Sequence, residues 1–349
     1  MKLVDKIENV AFFKVDDSGV LYYKNQEGDL YQKKSGVVKL LDTAVFDDFQ
    51  VFDGALIYNK ESFTELELDK NKSTTDSKYY LVNADHSRSG IYFLVDKDNH
   101  GNLRWVNRKG EGTPKLLSFA FGWELITLDF PDIILHEWGP GKKIKKFSLV
   151  EDRLLWEIEL NEISDKPDFK IDKMIALTEK EIYISVSDAS IIRINKNTGK
   201  IEKRILFKGS EMYKARNQRL VPNTYIYAKD CNSNYLFALD SRYCNRINME
   251  NGRKTDKDLS TQFERYDLSD FRFSMNYGQD ENYIYSICNL NKDRFGITPQ
   301  CIFGFHKIKE TIDWIYRFEE DVILTSHPVK VKNKLYQLSG LKRLYVFQE

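Results

Sequence analysis

The chain has 349 residues, of which 42% are hydrophobic and 30% charged, a globular mixture rather than a disordered one. Lys plus Arg and Asp plus Glu each number 53, so no summed field draws the molecule to nucleic acid or anionic lipid. Its longest apolar runs, such as Ile133-Ile134-Leu135, are far too short for a membrane-spanning helix.

The first residues, Met1-Lys2-Leu3-Val4-Asp5-Lys6-Ile7-Glu8, mix charges with apolar side chains at once. They lack the apolar core of a secretory signal, and predict a cytoplasmic protein. From there onward the dominant signal is a short run rich in Val, Ile, Tyr and Phe, bounded by Gly, Asn, Asp or Ser. Eight such runs read as the central strands of repeated units: 19–23, 54–58, 90–94, 132–136, 181–185, 224–228, 282–286 and 334–338. A polar turn and a second strand follow most of them (29–32, 103–106, 191–194, 235–239, 301–305, 343–347), and a third follows several (36–40, 154–158, 203–207, 313–316).

A period of about 40 to 50 residues that carries several strands predicts the blades of a β-propeller. One such sheet cannot bury both faces alone, so neighbouring sheets must stack. Sandwich pairs lack this period and β-helix coils are much shorter. The count is eight four-stranded blades, with seven as the alternative because residues 54–75 lack a convincing outer strand. The last unit runs out of chain early, and residues 2–7 are predicted to supply its missing strand, so 1–349 reads as a single all-β propeller domain whose two ends join in one sheet. Two polar stretches, 208–222 and 250–271, are predicted insertions on blade-connecting loops, where scaffolds tend to carry specificity. Within the first, 211–216 suits a short helix.

Residues 191–207 hold two alternating runs joined at Asn197-Thr198-Gly199. They predict the third and fourth strands of one blade, with a left-handed backbone at Gly199. The stretch Ile194-Asn195-Lys196-Asn197-Thr198-Gly199-Lys200-Ile201 resembles the repeat of the PQQ-like, or quinoprotein-like, propeller superfamily, one of the WD40, YVTN and PQQ-like repeat class. Residues 235–240 look like the third strand of that repeat, and 335–338 with 344–347 like its closing copy. The resemblance implies a repeat-built propeller. It does not extend to a cofactor, because the Trp that follows the Thr-Gly turn in that family is absent after Gly199. The exported quinone-dependent dehydrogenases of this fold also carry an adjacent cysteine pair, which this sequence lacks.

Chemistry-bearing residues are sparse. Cys231 and Cys244, like Cys288 and Cys301, are separated by 13 positions, a spacing unlike a zinc knuckle, and are read as reduced, partly buried thiols. Residues 96–102 space oxygen ligands as a calcium loop does, but Asn107 stands where a closing Glu belongs, and a polar hairpin loop is the reading preferred. No short His pair or nucleophile elbow occurs. The tryptophans are read as blade packing. The candidate binding surface combines the strand-end group His136, Glu137 and Trp138 with Tyr213, Arg216 and Arg219 of the first insertion.

The function expected is therefore a non-enzymatic, cytoplasmic, monomeric propeller that binds a protein partner, with no cofactor, nucleic acid or membrane. An immunity or inhibitor protein of bacterial style that neutralises a toxin fits this description. The alternatives are an enzyme acting on sugars or lactones, with strand-end groups such as Asp132 and His136 holding a metal in a central channel, and a carbohydrate-binding module.

Overall fold

The structure, a computed structural model, describes residues 1–46, 48–52, 54–84, 90–98, 103–108, 115–117, 123–137, 143–162, 171–186, 190–205, 212–214, 220–222, 226–230, 233–239, 243–271, 277–290, 300–318, 322–324 and 326–349. Successive antiparallel strands build eight blade sheets in chain order. The chain divides into two compact units.

The unit Ala11–Lys170 with the turn Thr198–Lys200 holds the first four sheets. Blade 1 comprises Val10–Val15, Leu21–Asn25, Leu30–Lys34 and Val37–Asp42. Blade 2 follows with Gln50–Phe52, Ala55–Asn59, Phe63–Glu67 and Lys72–Asp76. Tyr79–Ala84, Ile91–Asp96, Leu103–Asn107 and Lys115–Leu116 form blade 3; Trp123–Asp129, Asp132–Glu137, Lys143–Ser148 and Arg153–Glu159 form blade 4.

The unit of Met1–Val10, Ile171–Asn197 and Ile201–Glu349 holds the rest. Blade 5 is Ile171–Leu177, Glu181–Val186, Ile191–Asn195 and Ile201–Ile205, and blade 6 is Ile226–Lys229, Tyr235–Leu239, Tyr243–Asn248 and Lys254–Asp258. In blade 7 both Leu268–Phe271 and Tyr277–Gln279 pair with Tyr283–Leu290, followed by Gln300–His306 and Thr311–Arg317. Blade 8 is Val329–Val331, Lys334–Leu338 and Leu344–Gln348, completed by Lys2–Ile7. That closure runs from Lys2 opposite Gln348 to Ile7 opposite Leu344, with a register shift between Leu3 and Asp5. The strand plan is that of an eight-bladed β-propeller.

The second strands are the apolar runs seen in the sequence, because both of their faces are covered. Ala55–Asn59 and Ile91–Asp96 are buried throughout, so they show no alternation. Their side chains pack between successive blades: Tyr22 and Leu30 with Leu56 and Tyr58, Phe93 and Trp105 with Ile133 and Phe147, and, in the other unit, Tyr183 and Ile191 with Leu236 and Ile247. Each such side chain removed from water contributes about 1.5–3 kcal/mol. A buried second-strand tyrosine beside a carboxylate recurs: Tyr22 with Asp16, Tyr58 with Asp42, Tyr183 with Glu181 and Tyr285 with Asp280.

Several expectations shift in detail. Blade 2 does have a fourth strand, Lys72–Asp76, which removes the seven-blade alternative. Every residue of it is exposed, so it carries no apolar pattern. The runs read as central are second strands, except in blade 6, where Ile226–Lys229 comes first and Tyr235–Leu239 is second rather than third. Met212–Lys214 is a strand, paired with Leu220–Pro222, rather than part of a helix. Within 250–271 lie the fourth strand of blade 6, the helix Ser260–Arg265 and the first strand of blade 7.

Candidate interaction surface

His136 and Glu137 end the second strand of blade 4, His136 opposite Glu124 and Ile144, and Glu137 opposite Trp123. Tyr213 lies opposite Val221 in the hairpin of Met212–Lys214 and Leu220–Pro222, a two-stranded sheet outside the blades. Trp138, Arg216 and Arg219 lie outside the described residues. Of the three that are described, His136 and Glu137 share an element and Tyr213 lies on another.

Asp132 and His136 both lie on the second strand of blade 4. They are four positions apart on one strand, roughly 13 Å at the usual rise, and the Asp132 carboxylate is taken by Lys146 Nζ at 2.7 Å. Asp96, first of the calcium-like spacing, accepts the Asp98 N–H at 3.0 Å, while residues 99–102 lie outside the described residues. Among the described residues no three acids, histidines or cysteines gather as metal ligands. Cys288 and Cys301 are register partners in blade 7, and Cys301 Sγ lies 3.4 Å from the Cys288 carbonyl oxygen. Their 13-position spacing therefore follows from hairpin pairing. Trp105 and Trp156 are buried at 4% and 8% exposure, and Trp314 donates its Nε1–H to the Met1 carbonyl at 2.8 Å.

A charge cluster with two buried lysines, Lys307 and Lys330, joins blades 6, 7 and 8 around Asp280. Lys307, with a side chain 2% exposed, donates to the Asp280 carbonyl oxygen at 2.6 Å and reaches Asp230 Oδ1 at 3.4 Å. Lys330 pairs with Glu349 and lies 3.9 Å from Asp280 Oδ2. Asp280 Oδ2 also accepts the Tyr285 hydroxyl at 2.7 Å, and Oδ1 accepts the N–H groups of Asn282 and Tyr283. Burial, then the hydrogen bond and charge of Asp280, push the Tyr285 phenol far above its ordinary value. Each charge meets an opposite one, which offsets the cost of taking the lysines out of water.

The sequence marked residues 36–40 as a strand, the fourth of blade 1, but not as a binding surface. Ser35 and Gly36 both have positive φ, 49° and 84°, and Lys34 pairs with Val37 across them. This is a two-residue hairpin of the kind whose twist matches the strands it joins. It projects Val37–Asp42 as a sheet edge on which Val37, Val38 and Leu40 are 70%, 47% and 50% exposed. The fourth strands of blades 2 and 6, Lys72–Asp76 and Lys254–Asp258, hold no aliphatic residue at all. Cross-strand register extends the apolar face inward through Leu40, Tyr31 and Tyr23, the two rings stacked with centroids 5.2 Å apart.

No family model matches the chain, and neither does any curated protein. Solved structures do match. Sqt1 of Saccharomyces cerevisiae has a TM-score of 0.63 at 11% identity, over 100% of this chain and 99% of its own. The fold is a β-propeller. A computationally designed protein, Ika8, has a TM-score of 0.60 at 8% identity over 100% and 98% of the two chains. BamB from Moraxella catarrhalis, 11% identical over 87% of this chain and 98% of its own, has a TM-score of 0.47. At these identities the shared property is fold alone.

Proposed function

We propose that this chain is a non-enzymatic propeller that holds a protein partner on the edge of blade 1. Val38 and Leu40 on one face of an edge strand, with Val37 on the other, all three exposed, support this reading. Single exposed aliphatics are ordinary, but neighbouring ones on an unpaired strand gain from being covered. In the finer form of the proposal the chain is a cytoplasmic monomer, an immunity or inhibitor protein whose partner is a toxin. The unbridged thiols of Cys244, Cys288 and Cys301 are consistent with a reducing compartment.

Purification of the full chain from native lysate, beside the double variant Val38→Asp, Leu40→Glu, tests the reading. A stoichiometric protein partner held by the native chain and lost from the variant is expected. A native chain that always purifies alone would count decisively against it.

A further inference from the structure

Resting on that reading, we infer that the partner docks by strand addition: an extended acidic segment, with aliphatic side chains at alternate positions, pairs with Val37–Asp42. Among the described residues this strand is bonded only to Leu30–Lys34, so its other edge presents unpaired backbone, the template that added strands use.

The chemistry of the segment follows from the two faces. Register pairs Lys34 with Val37 and Gln32 with Lys39, which places Lys34 and Lys39 on one face together with Val37; it pairs Lys33 with Val38 and Tyr31 with Leu40, which places Val38 and Leu40 on the other, beside Lys33 and Tyr31. A strand added here sets its alternate side chains beside these two rows. Acids suit the lysine row and aliphatics suit the Val38 and Leu40 row. No acidic residue occurs between Leu30 and Leu41, and the next one, Asp42, is occupied by Tyr58 and Lys60. Lys34 and Lys39 have no ion-pair partner among the described residues; Lys39 Nζ reaches only Asn71 Oδ1, at 3.4 Å. A second copy paired about a two-fold axis normal to the sheet is a poor occupant, because it would set this lysine row against its own.

The test uses the full chain and a labelled short peptide alternating valine and glutamate, beside its valine–lysine counterpart, read by fluorescence anisotropy. Saturable binding of the glutamate peptide alone is expected. N-methylation of its alternate amides should abolish binding, as backbone pairing requires. Exchange of Lys34→Glu with Lys39→Glu should weaken the glutamate peptide by about tenfold and admit the lysine peptide, with an unchanged unfolding midpoint since both side chains are on the surface. Equal binding of the two peptides, or indifference to N-methylation or to the lysine exchange, would overturn strand addition. Self-association of the free chain that Val38→Asp abolishes would overturn it too, assigning the edge to a second copy. A silent peptide alongside a native partner that still depends on Val38 sinks strand addition and leaves the partner reading standing.

Discussion

Tyr58 is wholly buried, and its hydroxyl donates to Asp42 Oδ2 at 2.6 Å. Burial, then the bond to Asp42 and its charge, drive the phenol far above its ordinary value, so it acts as a fixed donor at every physiological pH. At Asp42 burial pushes the carboxyl up, but hydrogen bonds from Tyr58, Lys60 and the Thr43 N–H together hold it below its usual 3.8. Replacing Tyr58 with Phe should cost about 2 kcal/mol in urea unfolding, the worth of a hydrogen bond to a charged group. The pH dependence has a definite sign. Because the folded carboxyl titrates below the unfolded one, its stabilisation is present above the unfolded value and is lost as pH falls through the folded one. Unfolding free energy should therefore drop as pH is lowered below about 5, and the Tyr58→Phe variant should show a smaller drop. The tyrosine was visible in the sequence inside an apolar run. Its acid was not, because the two are 16 positions apart, whereas Glu181 and Tyr183 are only two apart.

The turn between the third and fourth strands of blade 5 shows the same division at the level of an element. Asn197-Thr198-Gly199 read as a reversal needing a left-handed residue, and Gly199 has φ of 73°. A Cβ there would also lie 2.9 Å from the Trp156 ring, a contact with no trace in the local sequence. Gly199→Val should cost about 2 kcal/mol, combining backbone strain with overpacking. Gly199→Asn, which tolerates the backbone, should recover only part of that loss in the same denaturant titration. Full recovery with Asn would remove the tryptophan from the explanation. The fourth strands of blades 2 and 6 were hard to read for a physical reason: Lys72–Asp76 and Lys254–Asp258 stand almost wholly in water, so no core selects apolar residues at alternate positions. Second strands were easy because two neighbours bury them.

For the molecule as a whole, the decisive element is the N-terminal strand. Lys2–Ile7 pairs with Leu344–Gln348, and the carbonyl of Met1 accepts from Trp314. Removing residues 1–8 should lower stability by on the order of 3 kcal/mol through lost ladder bonds. It should also bare the Leu344–Gln348 edge, so that light scattering on warming rises earlier. The free peptide of residues 1–8, added in trans, should restore part of the midpoint; a truncated chain as stable as the full one would refute the role of this closure. The sequence by itself determined the fold class, the blade repeat and this joining of the ends, because strand burial and turn chemistry leave a period that local reading detects. It could not assemble a site. His136 and Glu137 share a strand end because they are neighbours in the sequence, and Asp132 serves Lys146. Only the tertiary structure decided which strands are covered and which remain bare. Exposure at Val37, Val38 and Leu40 depends on what the rest of the chain fails to place against them, and a one-dimensional pattern cannot distinguish a hydrophobic strand inside a sheet from one at its edge.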